Sequence, residues 1–172
     1  IDTGVVILTG EALRRDNAEA IASVVSAKGG DFLTATAGNH MEAMLAAYGS
    51  GAAKESFDRQ GRILNVDIGG GTTKLALVCK GVILWTAALH IGGRLIALQD
   101  GKVTRIEATG AYFAAEAGVS IALGDAIDAT RMRLIASHMA DLLTVAIMGR
   151  DLPKEVTSLF LTDIPDDFGS LD

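Results

Sequence analysis

Short unbroken apolar runs, set apart by glycine-rich breaks, recur along most of the 172 residues. Val5-Val6-Ile7-Leu8 is the first and Phe32-Leu33-Thr34-Ala35-Thr36 the second. The first has the length and continuity of a strand buried on two faces, and the second reads as another short strand. Between them Ala18, Ile21, Val24 and Val25 recur at three- and four-residue steps, which predicts a helix over 16–27 closed by Lys28-Gly29-Gly30. A further helix is expected over 40–48, ended by Gly49-Ser50-Gly51. The order β-α-β-α implies a partly parallel sheet. Residues 52–60 are polar and charged and read as an exposed connection.

Beyond residue 60 the pattern changes to strands joined by tight turns. An apolar run at 63–68 breaks into three consecutive glycines, and strands at 72–79 and 82–89 follow, joined by Lys80-Gly81. Asp100-Gly101 marks a hairpin between 95–98 and 103–108. Residues 109–123, Ala-rich with Gly118 inside, read as a short strand and a loop. Asp125 is expected to cap a long helix running to about Met148, with Ile127, Met132, Ile135, Met139, Leu142, Leu143 and Ala146 on one face. Gly149 and Pro153 stop it, and 155–162 reads as a final strand. The chain thus divides into a lead-in over about 1–60 and a strand, hairpin and helix assembly over about 61–162.

Composition narrows the class. Nearly half the residues are apolar and aromatics are few, a mix that suits close helix–sheet contact and hence an α/β fold. The net charge is −6 and the Lys and Arg residues are scattered, which argues against nucleic acid as a partner. No apolar run reaches the length of a membrane span, so no membrane partner is expected. The single cysteine, Cys79, falls in an apolar strand and reads as a small core residue, in keeping with a cytoplasmic setting. The chain begins Ile1-Asp2-Thr3-Gly4 and closes on a polar segment at 163–172, so both ends read as cut from something longer.

Candidate chemistry concentrates in Asn65-Val66-Asp67-Ile68-Gly69-Gly70-Gly71-Thr72-Thr73-Lys74. Glycines let backbone N–H groups approach an anion closely, and the threonine hydroxyls add donors. The carboxylate of Asp67 suits a hydrated metal ion at the same spot. Three glycines between strands also serve as an ordinary hairpin or bulge. The preceding acid and the following Thr-Thr favour a cradle for nucleotide phosphates. A P-loop is excluded because Gly-x-x-x-x-Gly-Lys-Ser/Thr is absent, and the dinucleotide fingerprint fails because a strand, not a helix, follows the glycines. Glu116, Asp125 and Asp128 read as solvated or capping. His90 and His138 lack the spacing of a metal pair.

The helix of residues 39–49 closing on Gly49, the Val66-Asp67-Ile68-Gly69-Gly70-Gly71-Thr72 turn, and Gly92-Gly93 after the third strand keep one order and spacing. That arrangement resembles the second-phosphate region of the actin-like ATPase superfamily, an α/β, ribonuclease H-like architecture with a mixed sheet and flanking helices. Within it the text Ile7-Leu8-Thr9-Gly10-Glu11, Ala35-Thr36-Ala37-Gly38-Asn39-His40 and Ile91-Gly92-Gly93-Arg94-Leu95, with the glycine turn, resembles the reactivating factors of ethanolamine ammonia-lyase. The resemblance implies an ATP-dependent chaperone that frees an adenosylcobalamin-dependent lyase of damaged cobalamin, in the cytoplasm or with a bacterial microcompartment. ATP or ADP with Mg would be the cofactor and ethanolamine ammonia-lyase the partner.

The implied roles follow the motif. Gly69, Gly70, Gly71, Thr72 and Thr73 would bind phosphates, Asp67 would reach Mg through water, and Gly92 and Gly93 would either lie near nucleotide or serve helix–sheet contact. His40 occupies the place that heat-shock members give to Glu, where it would hold the attacking water or simply bond nearby backbone. Lys74 stands where other members often have Asp. Both departures fit slow hydrolysis, or nucleotide binding used as a switch. The first phosphate motif and the adenosine motif of the superfamily are absent from this stretch, so residues 1–172 alone are expected to bind ATP weakly or not at all, with none held tightly. A sugar or acid kinase of the same superfamily, or a non-catalytic actin-like scaffold, are the alternative readings.

Overall fold

The structure, a computed structural model, describes residues 3–9 and 31–168. Strands β1 (Thr3–Thr9) and β2 (Asp31–Ala37) pair in parallel from Thr3↔Asp31 to Thr9↔Ala37. The helix expected over 16–27 lies outside the described residues. Gly38 then leads into α1 (Asn39–Gly49), one residue longer at each end than periodicity predicts.

Residues expected as an exposed connection instead form α2 (Ala52–Asp58). Only Ala53 and Ser56 turn inward, too narrow a stripe to register as apolar periodicity. The outward face carries the i,i+4 pairs Lys54–Asp58 and Glu55–Arg59. Ser56 earns its burial through its hydroxyl, which donates to the Gly61 carbonyl at 2.7 Å and accepts from the Gly81 N–H.

A three-stranded antiparallel meander follows: β3 (Arg62–Ile68), β4 (Thr73–Cys79) and β5 (Val82–Leu89), with β4 central. Lys80 and Gly81 both have positive φ, 50° and 85°, the turn geometry that matches strand twist in a two-residue hairpin. Every residue of β4 from Thr73 to Val78 is buried, because both faces of the sheet are covered. On one face α1 and α2 set Ala47 and Ala53 against Ala76 and Val78, small side chains that bring helix and sheet close. On the other, Leu75, Ala87 and Leu89 enter the main core with Phe113, Ile135, Leu143 and Val156.

That second layer is built by the hairpin of β6 (Ile96–Gln99) and β7 (Lys102–Ile106), turned at Asp100-Gly101, and by α3 (Ala108–Glu116), α4 (Ala129–Met148) and α5 (Lys154–Thr157). Three expectations are corrected here. Residues 108–116 are helical rather than a short strand and loop, because the run is rich in alanine and buries Gly110, Phe113 and Ala114 on one side. The cap of α4 is Asp128, whose side chain accepts from the Arg131 N–H, whereas Asp125 holds a preceding turn through the Ala122 N–H and Ile127 lies ahead of the helix. The segment read as a final strand opens as the helical turn α5 behind Pro153. Only residues 159–162 run beside β5, with His90 N–H donating to the Leu159 carbonyl and Leu161 N–H to that of Ala88, both at 2.8 Å.

Candidate functional site

The glycine turn joins β3 to β4 and is closed on itself by the Gly69 N–H donating to the Thr72 carbonyl at 2.9 Å. The segment after β5 grips it from the side. Gly93 N–H donates to the Gly69 carbonyl at 2.9 Å and Arg94 N–H to that of Gly70 at 2.7 Å. Gly92 lies so close that a Cβ there would sit 2.5 Å from the Gly70 carbonyl oxygen and 2.5 Å from the Gly71 carbonyl carbon. The two glycine elements, about twenty residues apart in sequence, therefore form one backbone-on-backbone unit available only without side chains. Gly92 and Gly93 buttress the turn directly.

The Gly69 and Gly70 carbonyls are thus engaged, and Gly69 spends its own N–H on the Thr72 carbonyl. Among the described residues no backbone carbonyl accepts from Gly70 or Gly71. Both glycines, with Thr72, face a cavity of about 770 Å³. Its far wall is the start of α1, with Gly38, Asn39 and Glu42, so the positive end of that helix opens on the same space. Lys74, Arg94, Arg105 and Glu107 complete the charged lining, with His90 beside them. Lys74 is paired with Glu42 and Arg105 with Glu107, whereas Arg94 has no carboxylate partner among the described residues. Backbone donors, a helix N-terminus and an unneutralised guanidinium fit a phosphate-bearing ligand.

The residues singled out from sequence divide in two. Gly70, Gly71 and Thr72 line the cavity. Gly69 lies behind them, and Thr73, expected among the phosphate donors, is fully buried and gives its hydroxyl to the Ile91 carbonyl at 2.8 Å. Asp67 is exposed at the end of β3, opposite Lys74 in the ladder and outside the cavity wall. His40 is also off that wall: its Nδ1 bonds the Thr86 hydroxyl at 2.7 Å across the α1–β5 contact. The described residues contain no group of three or more His, Cys, Asp or Glu side chains able to hold a metal ion by themselves.

Sequence reasoning missed Glu42, His90, Arg94 and Arg105 as cavity residues. Glu42 had a readable signal, standing one helical turn into α1 on the side of its N-terminus. Arg94 directly follows the glycine pair. The hairpin residues gave no such sign, because they arrive at the cavity only through the tertiary fold. No helix of the described residues is long and apolar enough to cross a membrane.

Comparison with known proteins bears on the identity of this site. The family profile described as ethanolamine utilisation protein EutA matches residues 1–170. Ethanolamine ammonia-lyase reactivase EutA of Salmonella typhimurium is 37% identical over 150 residues, covering 87% of this chain and 32% of that protein. The protein of the same name from Escherichia coli K12 is 35% identical over the same coverage. The chain spans about a third of the length of these curated relatives. Among solved structures, MreB5 of Spiroplasma citri bound to ADP aligns at TM-score 0.30 and 28% identity, over 51% of this chain and 25% of that one. The AMPPNP-bound form aligns at TM-score 0.39 and 16% identity, over 90% and 52%. With a profile match across nearly its whole length and two relatives above one third identity, the chain belongs to the EutA family of ethanolamine utilisation proteins.

Proposed function

We propose that this chain supplies one half of the nucleotide site of an actin-like, ATP-dependent reactivase for ethanolamine ammonia-lyase. The observation that carries the reading is the glycine turn, gripped through its carbonyls by Gly93 and Arg94, with Gly70 and Gly71 lining a cavity of about 770 Å³ and no backbone carbonyl among the described residues accepting from their N–H groups. Its relatives are named for reactivating that lyase, which supports the partner and the role.

Within the site, Gly70, Gly71 and Thr72 hold phosphate oxygens, with Gly69, Gly92 and Gly93 fixing the shape of the cradle. Asp67, solvent-exposed beside the turn, reaches Mg through a water molecule. A single carboxylate is the usual protein share for an ion that keeps most of its waters and takes phosphate oxygens as further ligands. His40 orients a water through Nε2, because Thr86 already engages Nδ1. Bound ATP supplies the phosphoanhydride whose presence or loss the protein reads as a change of shape. Turnover is slow, and the work is the release of damaged cobalamin from the lyase, in the cytoplasm or at a bacterial microcompartment.

The deciding experiment adds the full-length protein and ATP to cobalamin-inactivated ethanolamine ammonia-lyase. Recovered lyase activity that requires ATP is the expected result. No recovery, together with phosphorylation of a small alcohol or acid, would replace this reading with a kinase.

A further inference from the structure

Among the described residues Lys74 is the buried charge, 7% exposed in the middle of the sheet. Its ammonium is 2.5 Å from Glu42 Oε2, and both side chains are withdrawn from water, at 9% and 13% exposure. The same nitrogen donates to the Thr72 hydroxyl. An ammonium carries three donors, so one N–H is left over from these partners among the described residues, and Lys74 lines the cavity beside Gly70 and Gly71. Replacing a buried ion pair with apolar residues of like size is often neutral or stabilising, so fold stability alone does not account for this one.

Glu42 sharpens the point. A carboxylate on the wall of a phosphate cavity repels the ligand, and the Lys74 ammonium beside it offsets that repulsion. The pair also joins two elements, since Glu42 belongs to the first turn of α1 and Thr72 to the glycine turn. We infer that Lys74 reads the terminal phosphate of a bound nucleoside triphosphate, giving up Glu42 for the phosphate and so uncoupling the start of α1 from the glycine turn. This rests on the nucleotide reading above and adds to it the residue that separates triphosphate from diphosphate. A diphosphate leaves the Glu42–Lys74 link in place.

Calorimetry on the full-length protein tests it with ADP and a non-hydrolysable ATP analogue. Lys74→Gln weakens the analogue about 10- to 100-fold, the worth of one charge-assisted hydrogen bond, and leaves ADP within about threefold. Glu42→Gln does the reverse and tightens the analogue, because the repelling carboxylate is gone and the ammonium is released. If Lys74→Gln does not fold, Lys74→Met combined with Glu42→Leu replaces the pair by apolar groups and carries the same loss of discrimination. Equal loss for both nucleotides, no loss, or weaker analogue binding in Glu42→Gln would overturn the inference while leaving the nucleotide site standing. Wild-type protein that binds neither nucleotide would instead remove the proposed function, and this inference with it.

Discussion

A methyl group at Gly92 has nowhere to go. Its nearest neighbours would be the Gly70 carbonyl oxygen and the Gly71 carbonyl carbon, each at 2.5 Å, and neither is the movable end of a side chain. Gly92→Ala therefore pushes the turn and its buttress apart, at a cost of about 1–3 kcal/mol. Urea denaturation should read this as a lower midpoint at unchanged slope. Gly71 offers the contrast, since a Cβ there meets nothing within 4 Å, and Gly71→Ala should keep the wild-type midpoint. At this scale the sequence told which residues form the turn, but not how they are held. The walls opposite, Glu42 from a helix and Arg105 from a hairpin, are joined to it only by folding, and no spacing in the chain announces such a meeting.

Among the elements, α4 shows how caps decide a boundary. Asp125 and Asp128 both precede an apolar stripe, and either suits an N-cap by residue type. The Asp128 carboxylate receives the Arg131 N–H at 2.8 Å, while that of Asp125 receives the Ala122 N–H at 2.8 Å. Asp128→Ala should cost about 1 kcal/mol and speed hydrogen exchange at the Arg131 amide, whereas Asp125→Ala should leave that amide protected. The strands were legible because apolar runs bounded by Lys80-Gly81 and Asp100-Gly101 admit few other conformations. Helices α2 and α3 were not. The first buries two small residues only, and the second mixes alanine with Gly110, which lies where a Cβ would meet the Leu95 carbonyl oxygen at 2.6 Å. Intrinsic propensity disfavours such a glycine, and close approach to β6 requires it.

For the molecule as a whole, the sheet is covered unevenly. β4 is sealed between two helical layers, but β3 has a neighbour on one side alone among the described residues. Its outer residues Val66 and Ile68 are 37% and 57% exposed. An apolar hollow of about 230 Å³ beside Ile68, floored by Met132 and Met139, continues that surface. A strand with bare N–H and C=O groups and apolar side chains is a ready template for a second strand. Residues 1–172 produced by themselves should thus scatter light increasingly with concentration, and Ile68→Lys should lower the apparent mass toward that of a single chain. Unchanged scattering in that variant would place the contact elsewhere. The same strand carries Asp67 one residue before its end, so the colloidal behaviour of residues 1–172 and the role proposed for Asp67 share one edge. Whatever covers that edge in the full-length protein also sets how much water reaches the Asp67 carboxylate.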